Sequence, residues 1–207
     1  SALARKYDGD NPLFIYLPET DFDQEAFLKD LEKAFETNCN LIVCVSEGIH
    51  DAEGTFICEY DSSVGTDTFG HKMLAGCGKY LENLVRSRLG VKARSVELNV
   101  SQRCSAAMIS ATDQQEAVAA GKFGVQAALN GETGKMVSFI READADGNYQ
   151  MVCGLEDVNE ICNQEKVVPA EWITPDGHDV TEDFVRYARP LIQGNVNVPL
   201  GEDGLPA

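Results

Sequence analysis

Two short, unbroken apolar runs constrain this chain most: Leu13-Phe14-Ile15-Tyr16-Leu17 and Leu41-Ile42-Val43-Cys44-Val45. Neither alternates apolar with polar side chains, so neither suits a sheet with one wet face. Uninterrupted apolar strands belong in a parallel sheet covered on both sides. Between them Phe22, Ala26, Leu28, Leu31, Ala34 and Phe35 recur at roughly helical spacing, and Asp21 is placed to cap that helix. Strand, helix, strand in this order means parallel α/β.

The remainder continues the alternation. Gly48 to Asp67 reads as a polar excursion with a small hairpin around Thr55 to Glu59. A helix is expected from about Gly70 to Leu89, stopped by Gly90. A third strand follows from Arg94 to Asn99, then a helix from about Thr112 to Asn130, ended by Gly131. Lys135 to Ile140 is a fourth strand before the polar turn Asp144-Ala145-Asp146-Gly147. Pro169 to Asp176 is loop, and Thr181 to Ile192 is a last amphipathic helix. The tail 194–207, rich in Gly, Pro and Asn, reads as flexible.

With 207 residues and 43% apolar content, the chain can bury a full core in one or two domains. A formal charge of -17 argues against general affinity for nucleic acid or anionic lipid. A phosphorylated substrate is still possible if positive charge is concentrated locally. The seven cysteines are odd in number and contain no Cys-x-x-Cys pair. They read as reduced thiols, which fits a cytoplasmic location. No apolar run approaches the ~20 residues that span a bilayer. The start, Ser1-Ala2-Leu3-Ala4-Arg5, is no signal peptide and has no preceding Met, so the chain reads as truncated.

Chemistry is concentrated at Asn99-Val100-Ser101-Gln102-Arg103-Cys104, with Arg94 five residues upstream. A lone guanidinium stands there between a strand-like run and an Ala-rich helix. Ligands bind at the carboxyl ends of strands in open α/β sheets. Arg suits a phosphate because its fork of donors reaches two oxygens at once.

These residues resemble the phosphofructokinase family, whose members carry a Q-R-[GC] turn after a strand, an Asp-bearing helix start and a G-x-x-A helix. Here those elements are Gln102-Arg103-Cys104, Ser110-Ala111-Thr112-Asp113 and Gly124-Val125-Gln126-Ala127. Tyr16-Leu17-Pro18-Glu19 and Val45-Ser46-Glu47-Gly48 resemble two upstream blocks in the right order. Asp67-Thr68-Phe69-Gly70-His71 resembles a segment of the pyrophosphate-dependent branch, as does the stretch from Glu171-Trp172-Ile173 to Gly194. The likeness covers about residues 2–194. It implies a three-layer αβα fold with a mostly parallel sheet, residues 1–193 being the C-terminal, sugar-phosphate-binding portion and 194–207 the tail.

The same resemblance shows what this stretch lacks. Members have a glycine-rich turn for the phosphoryl donor, a T-x-D-N-D loop with the general-base Asp, and an M-G-R segment on the sugar phosphate. None occurs here, so no catalytic residue is assigned. Mg²⁺ is expected mainly on the missing half, and this portion alone is expected to be inactive. By resemblance, Glu47 accepts hydrogen bonds from fructose 6-phosphate hydroxyls, while Arg94 and Arg103 hold its phosphate. Nine residues of extended chain reach about 30 Å, too far for both arginines to grip one phosphate. A homo-oligomer with sites shared between subunits is therefore expected.

Val100 departs from the family, where His or Tyr is common, and cannot donate a hydrogen bond. His71 reads as a capping or solvent-facing residue, and His50 and His178 earn no role. Asp144 and Asp146 read as a plain turn, since a calcium loop needs a later Glu and flanking helices. Cys104 reads as a small residue beside Arg103. The expected activity is phosphoryl transfer to fructose 6-phosphate in glycolysis, with pyrophosphate favoured over ATP as donor. The alternatives are a non-catalytic sugar-phosphate-binding or subunit-association module and, more weakly, a nucleotide-binding protein, against which the lack of G-x-G-x-x-G counts.

Overall fold

The computed structural model describes residues 1–60, 76–105, 108–197 and 199–205, with the side chains of Gln102 and Arg103 outside the description. The Asp67–His71 segment therefore lies outside the described residues. The two apolar runs do become strands, trimmed to three residues each: β1 (Phe14–Tyr16) and β2 (Val43–Val45). They pair in parallel, Phe14 with Val43 and Tyr16 with Val45. On its other side β1 donates from Ile15 N to the His178 carbonyl at 2.8 Å.

Helix α1 (Gln24–Phe35) fills the crossover. Its cap is Asp23, not Asp21: the Asp23 carboxylate accepts from Glu25 N and Ala26 N at 2.8 and 2.9 Å. Phe22 is buried and donates its N–H to the His50 carbonyl, which commits this turn to the core before the helix begins. Phe27, Leu28 and Leu31 then pack with Tyr16, Phe22 and the fully buried Ile49 and Ile57 (each 0% exposed). The expected hairpin near Thr55 reduces to a single bridge, His50 with Phe56, followed by a 3-10 turn at Ile57–Tyr60. Helix α2 (Cys77–Leu89) contributes Cys77, Leu81 and Val85 to the same core and ends at Gly90, whose φ of 67° only glycine adopts freely.

The expected third strand is not one. Residues 91–98 enter no ladder among the described residues, and Val96 is 82% exposed. Apolar alternation reports an extended conformation but does not supply a strand to pair with.

The chain divides into two compact units: 1–98 with 167–185, and 99–166 with 186–207. The second unit begins at Asn99, held at φ 42°, and the short helix α3 (Ser101–Cys104). Helix α4 (Ala111–Leu129) follows, capped by Ser110, whose hydroxyl accepts from Asp113 N and donates to the Leu191 carbonyl. The fourth strand is longer than expected and has an antiparallel partner: β3 (Lys135–Ala143) pairs along nine residues with β4 (Tyr149–Asp157). Asp144 closes the intervening turn by accepting from Asp146 N and Asn148 N, the plain turn anticipated for this stretch. Against β3, Gly124 of α4 lies so close to Val137 that a Cβ there would stand 3.3 Å from its methyl. After α5 (Val158–Ile161), the expected last helix splits into α6 (Glu182–Ala188) and a 3-10 turn at Arg189–Ile192, where Pro190 cannot supply the next helical N–H. Parallel pairing is thus confined, among the described residues, to β1 and β2. No described helix is long and apolar enough to cross a membrane.

Candidate functional site

Glu47 occupies the turn immediately after β2, exposed to solvent. Ser46 N donates to the Tyr16 carbonyl, and a Cβ at Gly48 would touch Pro18 at 3.5 Å. The loops leaving β1 and β2 therefore meet at the carboxyl end of the parallel pair, the place where open α/β sheets hold ligands.

The N-terminal turn of α2 approaches the same place. Its Cys77 thiol is pushed up to about 12, first by burial and then by Cys58, Glu97 and Glu47. Glu97, from segment 91–98, lies beside this end of α2. A helix N-terminus is the end where negative charge is best tolerated.

Segment 91–98 runs back along α2 and is fastened to it. A Cβ at Gly78 would stand 3.3 Å from Ser95 Cβ and 3.9 Å from Glu97 Oε1. Glu82 is the fastener, its side chain 10% exposed. Its Oε2 accepts from both the backbone N and the hydroxyl of Ser95 at 2.9 Å. Its Oε1 accepts from Lys79 at 2.7 Å and lies 3.4 Å from Arg86. Lys79 and then Ser95 hold this carboxyl down at about 2, so it stays ionised. Sequence reasoning missed Glu82 and Glu97. The spacing Lys79, Glu82, Arg86 was a visible helix-face signal, whereas the bond to Ser95 was not.

Arg94, next to Ser95, is exposed and lines a cleft of about 580 Å³ with Arg86 and Lys92. Among the described residues no hydrogen bond or ion pair engages its guanidinium. The structure therefore sets Glu97 beside the N-terminal turn of α2, leaves Glu47 exposed at the end of β2, and places Arg94 on a cleft farther along the helix.

Arg103 belongs to the second unit, on α3, with its side chain outside the described residues. Its backbone setting is defined: the Val100 carbonyl accepts from Cys104 N and from Cys104 Sγ, each at 3.2 Å. Asn99 is left-handed and residues 101–104 are helical, so the run from Arg94 to Arg103 is not extended throughout. The 30 Å reach assumed for it is therefore an upper bound. Val100 is exposed.

No family model matches the chain. It is 36% identical over 206 residues to the pyrophosphate–fructose 6-phosphate 1-phosphotransferase of Xanthomonas campestris pv. campestris, covering all of this chain and 48% of that protein. The enzyme of the same name from Halomonas elongata is 34% identical over 205 residues, covering 99% of this chain and again 48% of the relative. Among solved structures, the pyrophosphate-dependent phosphofructokinase of Marinobacter aquaeolei superposes with a TM-score of 0.77 at 30% identity, over 99% of this chain and 46% of that one. The chain spans about half the length of the relatives it matches. An α/β fold with that TM-score, and sequence likeness running from end to end, make these 207 residues part of the phosphofructokinase family.

Proposed function

We propose that the chain is the C-terminal portion of a pyrophosphate-dependent phosphofructokinase, with residues 1–193 holding the sugar phosphate and 194–207 forming a tail. The whole protein would transfer a phosphoryl group from pyrophosphate, in preference to ATP, to fructose 6-phosphate, giving fructose 1,6-bisphosphate in cytoplasmic glycolysis. The observation that carries this reading is the unbroken likeness to proteins named for that reaction. The placement of Glu47 at the carboxyl end of β2 supports it.

In this reading Glu47 accepts hydrogen bonds from sugar hydroxyls, a task suited to an ionised carboxylate. Arg94 and Arg103 grip the 6-phosphate with their forked donors, each in a site completed by another subunit. Phosphoryl transfer depends on charge neutralisation around the donor, and Mg²⁺ supplies much of that. Among the described residues no group of three or more His, Cys, Asp or Glu side chains is arranged to hold a metal. No step is therefore assigned through the metal here. In this reading the donor-binding loop and the general base belong to residues outside these 207.

Titration of fructose 6-phosphate into the chain, with a parallel assay using pyrophosphate and Mg²⁺, tests the reading. Binding that weakens about tenfold or more in Glu47→Ala and Arg103→Ala, without turnover, supports it. Turnover by the chain alone sinks the claim that the donor machinery lies elsewhere, and unchanged binding in both variants sinks the site assignment. A subunit-association module is favoured by a separate feature, the exposed Val118, Val125 and Leu129 along α4. Association without any sugar-phosphate binding would leave that second reading standing.

A further inference from the structure

Arg86, Arg88, Lys92 and Arg94 fall within nine consecutive residues that contain no acid, in a chain whose formal charge is -17. Such a run normally serves the carbonyl end of a helix, where cations offset the dipole. That role accounts for Arg86 and Arg88, the basic residues of the last turn of α2. Arg88 is already paired, its Nη1 2.8 Å from Glu25 Oε1. It does not account for Lys92 and Arg94, which lie beyond the Gly90 stop, exposed and without a hydrogen bond or ion pair among the described residues. Both line the same 580 Å³ cleft, and Arg86 faces it from the helix. The only acid in its lining is Glu82, whose oxygens are occupied by Lys79, Arg86 and Ser95. Two uncompensated cations and a half-compensated one therefore face a cleft whose one carboxylate is already satisfied.

We propose that this cleft is a phosphate-dianion site in which Lys92 and Arg86 act together with Arg94. Lys92 contributes a mobile point charge beside the planar fork of Arg94, so the pair can meet three phosphate oxygens. Glu82 is a positioning residue: by holding Ser95 at its backbone and its hydroxyl, it fixes the residue that follows Arg94. The ligand is a phosphate ester or inorganic pyrophosphate, which share this chemistry. The proposal rests on the sugar-phosphate reading only for the choice between them.

Calorimetry on the 207-residue chain with inorganic phosphate, pyrophosphate and fructose 6-phosphate, at one ionic strength, tests it. Lys92→Ala is expected to weaken each phosphate-bearing ligand about tenfold, with Lys92→Arg retaining most of the affinity. Lys122→Ala, which removes the same charge from α4, is expected to stay within about twofold. Lys92 is exposed and unpaired, so its loss does not threaten the fold, and circular dichroism checks this. Wild-type affinities in both Lys92→Ala and Arg86→Ala overturn the proposal. If Arg94→Ala alone then abolishes fructose 6-phosphate binding, the sugar-phosphate reading survives without it. Lys92-dependent binding of inorganic phosphate, with fructose 6-phosphate no tighter, supports the cleft and removes the sugar assignment. A natively folded chain that takes up none of the three ligands overturns both.

Discussion

The two compact units are built to different plans. Every buried apolar side chain among the described residues belongs to the first unit, from Ala2 to Val180. The second unit has regular structure in plenty, a 19-residue helix and two nine-residue strands, yet buries none of its described residues. The first is held by packing, with the fully buried Ile49 and Ile57 in one core with side chains of α1 and α2. The second is held by backbone ladders, a cap, and Arg141 stacked 4.5 and 4.6 Å from the rings of Tyr149 and Tyr187. Hydrogen bonds specify geometry, but their net contribution to stability is modest, about 1 kcal/mol each. A regular element therefore need not be a stable one.

The largest test of this contrast is a matched pair of truncations. Ile57→Ala is expected to cost about 2–5 kcal/mol in urea unfolding, because it empties a closed site. Leu129→Ala, on a side chain 77% exposed, is expected to stay within about 0.5 kcal/mol. Equal costs would break the comparison and mean that α4 is covered in solution. Next in size is the helix cap. Asp23→Ala removes the acceptor for two N–H groups and is expected to cost about 1 kcal/mol, read from the same unfolding curves. Ser110→Ala removes a comparable cap in the second unit, so a much smaller loss there would sharpen the contrast.

A further test concerns pH. Glu82 is held at about 2 against an ordinary 4.5, so its ionised form favours the folded chain. That contribution is complete above about 4.5 and is lost as the pH falls toward 2. Glu82→Gln is expected to show a shallower acid loss than the wild type across that window, measured by thermal melts at stepped pH. Identical slopes would remove Glu82 from the account.

Much of the first unit was legible in its apolar runs: Leu13 to Leu17 and Leu41 to Val45 did yield paired parallel strands, although β2 is only half-buried and Ile42 beside it is 56% exposed. The failures have different causes. Arg94 to Asn99 alternates like a strand, but whether a strand pairs depends on what lies beside it. β4 was overlooked since Gly154 interrupts its apolar pattern, although Asp146-Gly147 after an apolar run was a hairpin signal. At the candidate site, Glu47 and Arg94 were named through resemblance alone. Glu82 was not, because its decisive bond to Ser95 crosses from a helix to an irregular segment thirteen residues away. Local spacing cannot report that kind of contact.

Gly78 gives the region around Arg94 an adjustable dimension. One added methyl at 78 would have to displace Ser95 by a few tenths of an ångström, and Ser95 is tethered both to Glu82 and to the residue before it. Gly78→Ala is thus a gauge block of one carbon, able to shift a guanidinium without altering any charge. Phosphate grips depend on distances of this order, so position 78 is where affinity can be tuned by spacing alone.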